Sequence, residues 1–413
     1  MSESVPIEPI RLGTFRSLRH RNYRLFFISS TVTNIGTWVQ RIAQDWLVLQ
    51  LTHSGTQLGF VTGLQFLPSL LFSLQGGAIA DRFDKRKVLV LTNLAGGAFA
   101  LTLGMLALAD AVRPWHVYVL AFALGLASAI DAPVRQSFVA EMVGPTDLPN
   151  AVSLNSANFN GGRLIGPALS GLLIAAFGTG PSFLINGTSY FVVIGALLMM
   201  RTDELIRRDL DNKIKVTILD GIRYVRQRAD LKAVILVVGL MATFGLNLQI
   251  TTALMATKVF HLGPSAFGLL SASIALGSVA GSLIAARLER TPTAIFVLRS
   301  ALTFGILETI ASIMPTFLMF ILVLPFCGVM ILTTLIAANS TMQLRSTPEN
   351  RGRVMGIYLT IFLGGAPLGS PMMGWIGQNI GPRYSIAIGG IVTILAALFT
   401  MAFTRGKLEV KDL

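Results

Sequence analysis

Three acidic side chains lie inside long apolar runs of this 413-residue chain. They are Asp45, Asp131 and Glu308, while the rest of the 20 Asp and Glu residues lie in polar stretches or at the ends of the runs. A carboxyl group that exchanges protons in a membrane must be buried, yet must reach water at some stage. The three residues are therefore the first candidates for chemistry.

Asp45 ends a polar stripe that includes Asn34, Trp38 and Arg41. Intervals of four, three and four residues place all of them on one face of a helix. Asp45 would lie about 33 Å along a helix that begins near Tyr23, toward its far end. We expect Asp45 to be the group that exchanges protons and Arg41 to hold its charge when the proton leaves. A purely structural ion pair between the two is the alternative.

Asp131 and Arg135 are four residues apart and can neutralise each other across one helical turn. This spacing favours a structural or gating role for the pair, with direct proton coupling as the alternative. For Glu308 we expect a structural or interfacial role.

No enzyme chemistry is indicated by the remaining motifs. The chain has no Gly-x-x-x-x-Gly-Lys-Ser/Thr loop, so ATP is not the predicted energy source. Its four histidines have no metal-ligand spacing, and a single cysteine excludes disulfide bonds. The sequence therefore predicts a protein that is not an enzyme and that binds no metal and no cofactor.

Composition places these residues in a membrane protein. Hydrophobic residues make up 53% and charged residues 13% of the chain, and its mean hydropathy is +0.68. A typical soluble domain has about 25% charged residues. The net charge of +13 comes from basic residues scattered in short loops, which indicates membrane topology rather than nucleic-acid binding.

About twelve apolar runs are long enough to span a bilayer as helices. Their approximate bounds are 23–51, 57–80, 88–110, 115–135, 150–177, 182–200, 233–260, 266–287, 294–314, 316–338, 354–380 and 384–403. The polar stretch 201–232 separates six runs from six. Residues 214–229 within it have an apolar stripe and predict an amphipathic helix on the membrane surface. The predicted domains are a six-helix bundle in 1–200, a cytoplasmic linker in 201–232 and a second bundle in 233–413.

The distribution of Lys and Arg predicts the orientation. Apart from Arg41 and Arg163, which lie within runs, only Arg113, Lys258 and Arg383 among the Lys and Arg residues would lie at the outer face if the N-terminus is inside. We therefore expect a multi-pass protein of the cytoplasmic (inner) membrane with both termini in the cytoplasm.

An internal repeat supports the division into two halves. Residues 145–178 and 348–381 align without gaps, so that Gly166 matches Gly369 and Gly171 matches Gly374. Residues 76–82 have a weaker match in 281–287. Because an even number of runs separates the halves, both have the same topology.

The turn at 76–89, GGAIADRFDKRKVL, resembles the loop signature of the major facilitator superfamily of transporters. The phrases FRSLRHRNYRLFF and WVQRIAQDWLVLQLT resemble its bacterial effluxers of the enterobactin-exporter and macrolide-efflux types. The resemblance implies an all-α integral membrane protein with twelve transmembrane helices in two pseudo-symmetric six-helix bundles. These would rock around a central cavity to expose it to either side.

The same resemblance implies a gate at this turn. Asp81 would contact the N-terminus of the eleventh helix near residues 353–356, where the helix dipole favours a carboxylate. Lys85 would pair with Asp131, and together the contacts would lock the outward-facing state. The chain has Asp84 where Gly is usual and Lys85 where Arg is usual, so the lock would be weaker. The alternative is that these charges are only topology signals.

The fifth run contains a pattern that resembles the antiporter signature of the superfamily, which favours export. It consists of Gly162, Arg163, Gly166, Pro167 and Gly171. The proline and the glycines predict a bend or a close helix crossing.

Polar residues in the runs are candidates for lining the cavity. They are Asn34, Trp38, Asn247, Gln249 and Asn339. Aromatic residues and methionines suit lipophilic substrates, although core packing explains them equally well: Trp38, Trp46, Phe66, Phe159, Met255 and Met342.

The leading hypothesis is a secondary active transporter that exports amphipathic small molecules, such as drugs, by proton-coupled alternating access. A dedicated metabolite or siderophore exporter is the alternative within transport, and a non-transporting scaffold or receptor is the alternative of another class. The expected partners are a small-molecule substrate, protons and the lipid bilayer, without nucleic acid, and we expect a monomer.

Overall fold

Twelve long helices, which we number α1–α12, form the protein in a computed structural model that describes residues 14–206, 218–287 and 292–404. The described residues contain no β-strand. The helices are α1 Arg21–Thr52, α2 Gly55–Arg82, α3 Lys85–Leu108, α4 114–143, α5 145–177, α6 Gly180–Leu198, α7 Ala229–Val259, α8 Pro264–Arg287, α9 Ala294–Ile313, α10 Phe317–Leu344, α11 Pro348–Asn379 and α12 Pro382–Thr404. Each predicted apolar run is confirmed as a helix.

Most of these helices pass a length and hydropathy test for membrane spans. In the described part of the chain, nine helices pass this test when α4 and α5 are counted as one helix. The bent helix α2 is the tenth if its two segments are counted as one span. The remaining long helix, α1, carries the polar stripe. The protein is therefore a multi-pass membrane protein with twelve helices.

Gly144 separates α4 from α5. Its backbone has φ 70° and ψ 175°, which breaks the helix immediately before Pro145. The fourth helix was predicted to end at residue 135, but it continues to 143. This extension makes Glu141 part of the helix, where it pairs with Lys85.

Close helix contacts within each bundle repeat as the sequence repeat predicts. Gly162 and Gly166 on α5 lie against the backbone of α1, where an added Cβ would be 3.0 Å from the carbonyl carbon of Asn34. Their matches on α11, Gly365 and Gly369, lie in the same way against α7. Small residues thus allow the backbones to approach at equivalent places in both halves.

A short helix, Ile218–Gln227, precedes α7, and we call it the linker helix. The amphipathic helix was predicted over 214–229, of which 214–217 lie outside the described residues. Gly221 contacts Arg353 of α11, and the Tyr224 hydroxyl accepts a hydrogen bond from the amide of Thr347 at 3.3 Å. These contacts attach the linker helix to the second bundle.

Candidate functional site: a cavity between the bundles

A cavity of about 400 Å³ lies between the two bundles. Its lining comes from α1, α2 and α5 of the first bundle and from α7, α8, α10 and α11 of the second. Four of the predicted lining residues do line it: Asn34, Trp38, Asn247 and Gln249. Asn339 does not, because it lies one turn beyond Leu335 on α10 and accepts a hydrogen bond from Gln343 instead.

Two arginines are the charged residues among those described in the lining. The Arg41 guanidinium lies 4.6 Å from the ring centroid of Phe66 and 5.4 Å from that of Trp38. The Arg163 guanidinium lies 5.8 Å from the Trp38 ring, so one indole contacts both cations. Cation–π contacts stabilise such charges without neutralising them. The cavity is therefore positively charged and aromatic.

The aromatic and methionine residues divide between two environments. Trp38, Phe66 and Phe159 line the cavity, and the Trp38 and Phe159 rings meet edge to face at 5.7 Å. The others lie in the packed core: Trp46, Met255 and Met342. Three of these six residues therefore lie in the cavity, and the other three contribute to core packing.

Asp45 is buried one turn beyond Arg41 and contacts the other bundle. Its side chain accepts a hydrogen bond from Nε2 of Gln249 on α7 at 2.5 Å. The ion pair with Arg41, which was the structural alternative, does not form within 4.0 Å among the described residues. The aromatic rings hold the guanidinium, and the α7 amide binds the carboxylate.

The bundles meet closely on the Asp45 side of the cavity. We call this side the opposite face. We call the other side the basic face; it carries the turn at 82–85, the helix break at 144 and the linker helix. A Cβ added to Gly59 of α2 would lie 2.1 Å from the carbonyl oxygen of Ser370 on α11. One added to Gly268 of α8 would lie 2.5 Å from the carbonyl oxygen of Pro167 on α5.

Three hydrogen bonds join the bundles within the described residues, and all lie toward the opposite face. Gln249 donates to Asp45, the Gly55 amide donates to Gln378 at 2.8 Å, and the Ser265 hydroxyl donates to the Gly171 carbonyl at 3.4 Å. The ion pairs of this part of the chain each lie within one bundle. The cavity is therefore closed at the opposite face by α1, α2 and α5 against α7, α8 and α11.

The bundles separate toward the basic face. Midway along the two helices, a Cβ added to Gly364 of α11 would lie 3.4 Å from Leu70 of α2. Nearer the basic face, a Cβ added to Gly77 of α2 or to Gly356 of α11 would meet no atom within 4 Å. The glycines of α2 and α11 thus lie against the partner helix at the opposite face, whereas Gly77 and Gly356 face open space.

The predicted gate contacts are absent from this conformation. Asp81 is exposed and borders a small recess of the first bundle, together with Lys85 and Glu141, rather than the N-terminus of α11. In this conformation Lys85 pairs with Glu141 at 2.6 Å instead of Asp131, and the pair with Asp131 stays a prediction for the outward-facing state. The physical reason is the two further turns of α4, which place Glu141 beside the start of α3.

Asp131 belongs to a polar cluster inside the first bundle. Its carboxylate accepts from Arg135 at 2.7 Å, as the spacing predicted, and also from Thr92 and Asn93 of α3. Arg135 also donates to the Ser30 hydroxyl of α1 at 3.2 Å. The cluster joins α1, α3 and α4 by hydrogen bonds that centre on the Asp131–Arg135 pair.

The residues of the antiporter-like pattern on α5 face three different parts of the molecule. Gly162 and Gly166 contact α1, Arg163 and Pro167 line the cavity, and Gly171 contacts α8 at the closed interface. One stretch of helix therefore connects the first bundle, the cavity and the second bundle.

A further cluster, around Asp147, was not identified from the sequence. Asp147 follows the helix break and is buried, with Arg16, Arg19 and His20 of the N-terminal segment on its oxygens. Burial raises its pKa, but hydrogen bonds from His20 and Arg16 and the charges of Arg16 and Arg19 outweigh burial and hold that pKa below its usual value. The available signal was a run of basic residues before the first helix, which we assigned to topology alone.

Twelve helices in two repeated bundles around a central cavity define a transporter of the major facilitator type, not an enzyme and not a scaffold. The chain belongs to the family described as transmembrane secretion effector, whose model matches residues 12–413. The resemblance noted in the sequence is thus confirmed.

Named relatives match nearly the whole chain at low identity. The staphyloferrin A transporter of Staphylococcus aureus is 25% identical, covering 94% of this chain and 97% of that protein. The multidrug efflux pump Tap of Mycolicibacterium fortuitum is 25% identical over 86% and 89%. The enterobactin exporter EntS of Citrobacter koseri is 21% identical over 92% and 91%.

The fold is also similar to a solved transporter structure. A bacterial homologue of the human lysosomal transporter Spinster, in an inward-facing and unoccupied conformation, superposes with a TM-score of 0.73. Its sequence identity is 16%, and the match covers 94% of this chain and 97% of that one.

Proposed function

We propose that this protein is a monomeric, proton-coupled exporter of amphipathic small molecules from the cytoplasm. The observation that carries the proposal is the cavity between the bundles, which is closed at the opposite face while the bundles separate toward the basic face. In alternating access, rocking of the bundles closes one face of such a cavity and opens the other. The names of the relatives support export of small molecules.

The basic face is assigned to the cytoplasm. Its α2–α3 turn carries Arg82 and residues 85–87, all basic, whereas Arg113 and Arg383 lie at the opposite face. The conformation described above is then inward-open. In intact cells, a membrane-impermeant thiol reagent should label cysteines placed at 113 or 383 and should not label one placed at 85. Labelling at 85 would reverse the assignment.

The charge of the cavity favours an anionic substrate, and this supports the metabolite or siderophore alternative. Arg41 and Arg163 face the cavity without an acidic partner among the described lining residues. Arginines recognise carboxylates and phosphates with paired hydrogen bonds, and desolvated cations attract anions strongly. The relatives named for staphyloferrin A and enterobactin agree with a dedicated metabolite.

The aromatic rings of the cavity support the hypothesis of drug export. Trp38, Phe66 and Phe159 offer flat apolar surfaces that stack on planar ligands of many shapes. A broad drug exporter would use these rings alone, whereas an anion exporter would also need the arginines.

Proton coupling is assigned to Asp45. It is buried between the bundles, and its contact with Gln249 joins them. Loss of the negative charge on protonation weakens that hydrogen bond, because bonds to ionised acceptors are stronger than neutral ones. A proton on Asp45 would thus favour separation of α1 from α7, with Arg41 one turn away to attract the carboxylate when the proton leaves.

Purified protein in sealed vesicles tests the proposal. Uptake driven by a pH gradient is measured for matched amphipathic anions, cations and neutral compounds. We expect gradient-dependent transport of anions, lost in Arg41→Gln and Arg163→Gln and retained in Arg24→Gln, an exposed control on α1. Equal transport of cations and anions that ignores both arginines would favour the drug exporter, and transport indifferent to the pH gradient would refute proton coupling.

A further inference from the structure

A second carboxyl group is buried in the other bundle, on α9. We propose that Glu308 binds a proton in the inward-open conformation and releases it during the transport cycle, coupled to the cavity through an irregular turn of α7. The inference rests on the proton-coupled transport proposed above. It assigns a second proton site, in the bundle that does not contain Asp45.

The surroundings of Glu308 disfavour a charge. Its side chain is 2% exposed, and its Oε2 atom is buried without a hydrogen-bond partner. No ion pair to Glu308 occurs among the described residues, and its neighbours on α9 include Phe304 and Ala311. An isolated carboxylate in an apolar interior is so costly that the group binds a proton instead. Glu308 therefore differs from Asp131, which has three donor side chains.

Two glycines make the space that the carboxyl group occupies. A Cβ on Gly245 of α7 would lie 3.1 Å from Oε2, and one on Gly389 of α12 would lie 3.0 Å from Oε1. The carboxyl group therefore lies directly against two backbones, one of which belongs to a helix of the cavity. A larger residue at either position would have to displace it.

The α7 backbone is irregular at this contact. Residues Met241–Gly245 form a π-helical turn closed by the Leu246 amide on the Met241 carbonyl at 2.9 Å. Such turns leave the regular ladder incomplete and occur frequently at functional sites. Ala242 and Leu246 of the same stretch line the cavity, so the turn has Glu308 on one side and the substrate space on the other.

The groups found near Glu308 on its neighbouring helices within the described residues are uncharged. They include the glycines of α7 and α12, the Thr393 hydroxyl of α12, which lies beside Gly245 and donates to the Gly389 carbonyl, and the thiol of Cys327 on α10. Arg383 lies at the start of α12, but its guanidinium donates to the carbonyl oxygens of Ser312 and Met314.

The proton step follows from this arrangement. When the α7 turn rearranges and admits water, the O–H bond of the Glu308 carboxyl breaks, its electron pair stays on the carboxylate and the proton passes to water. The new carboxylate requires hydrogen-bond donors, which the closed turn lacks, so ionisation stabilises the rearranged turn. Because Asn247 and Gln249 follow directly on α7, this rearrangement also moves the contact to Asp45.

The variant Glu308→Gln tests the inference, since it keeps the shape of the side chain and removes the exchangeable proton. In sealed vesicles, uphill transport driven by a pH gradient should fall to the level of empty vesicles. Exchange of labelled for unlabelled substrate, which needs no net proton movement, should remain at the wild-type rate. Gradient-driven transport at the wild-type rate in Glu308→Gln would overturn the inference. Failure of the wild-type protein to respond to the gradient would instead overturn the proposed function.

Infrared spectroscopy gives a second test that does not need a Glu308 variant to fold. In Asp45→Asn protein, a buried carboxylic acid should contribute a carbonyl band that shifts when substrate is added. Absence of such a band would show that Glu308 is not protonated and would overturn the inference.

Discussion

The two ends of the interface between the bundles are built by the same helices but pack differently. At the opposite face, Gly59 of α2 and Gly374 of α11 bring backbones into direct contact, and at the basic face a Cβ added to Gly77 or Gly356 of the same helices would meet no atom within 4 Å. Both ends are rich in small residues. Glycines therefore permit close contact between helices but do not impose it. The orientation of the two bundles decides which end of the interface closes.

The equivalent helices of the other pair behave alike. On α5, Gly171 lies against Gly268 of α8 at the opposite face, whereas a Cβ on Gly161, at the level of the cavity, would meet nothing within 4 Å. The α2–α11 and α5–α8 contacts are related by the internal repeat, so closure at the opposite face is pseudo-symmetric. A rocking motion would exchange the closed and open ends of both pairs together.

The largest expected effect comes from forcing the closed end apart. Gly59→Leu places a side chain where even a Cβ would be 2.1 Å from the Ser370 carbonyl oxygen, and overpacking costs about 1–3 kcal/mol. We expect transport to be abolished and a cysteine in the cavity to become reachable from the opposite face. The matched control is Gly77→Leu on the same helix, which should transport normally. Equal effects of both variants would mean that the two ends do not differ as described.

The second largest effect is expected from removing the hydrogen bond between Gln249 and Asp45, which joins the bundles at the closed end. Gln249→Leu leaves the Asp45 carboxylate without its amide donor, and a hydrogen bond to a charged group contributes about 1.5–3 kcal/mol. The closed end should open more often, which cysteine accessibility in the cavity measures. Ser265→Ala, which removes a longer bond to a carbonyl, serves as the control with a smaller change.

A change at the open end should act in the reverse direction. Asp81 has no partner among the described side chains of α11 in this conformation, so we expect Asp81→Asn to leave this conformation unaffected. If Asp81 contacts α11 when the basic face closes, the variant destabilises only that state and reduces the transport rate at normal expression. Asp84→Asn is the nearby control. A wild-type rate in Asp81→Asn would limit these charges to topology.

The smallest effect on access is expected from Asp147, whose contacts lie within the first bundle. Because its pKa is lowered in the folded protein, its stabilisation is fully present above the unfolded value, about 3.9, and is lost as pH falls through the lower folded value. Asp147→Asn should therefore lower the thermal stability at neutral pH, with a difference that shrinks in acid. Accessibility of the cavity should not change, and a change would connect the N-terminal segment to the gate.

The sequence predicted the features that depend on one helix or on its repeat. Gly166 and Gly369 were matched by alignment, and both lie against the first helix of their bundles, because equivalent residues of a repeat occupy equivalent places. Asp131 and Arg135 pair because a helical turn determines their distance.

Features that depend on other helices could not be predicted in this way. The spacing predicted that Arg41 pairs with Asp45. In the structure, the Arg41 guanidinium contacts the Phe66 ring of α2, and the Asp45 carboxylate accepts a hydrogen bond from Gln249 of α7. Lys85 pairs with Glu141 because α4 continues past the end of the apolar run, and hydropathy does not detect such an extension. Glu308 was expected to have a structural or interfacial role, and only the packing of α7 and α12 around it shows that its buried Oε2 atom lacks a hydrogen-bond partner.

The most direct test of alternating access is to measure spin-label distances across both ends of the interface in vesicles. One pair joins His53 to Asn379 at the opposite face, and the other joins Phe83 to Arg351 at the basic face, all four being exposed positions. Between conditions that favour opposite states, such as low and high pH with substrate, we expect one distance to lengthen while the other shortens. Two distances that stay fixed, or that lengthen together, would contradict the account.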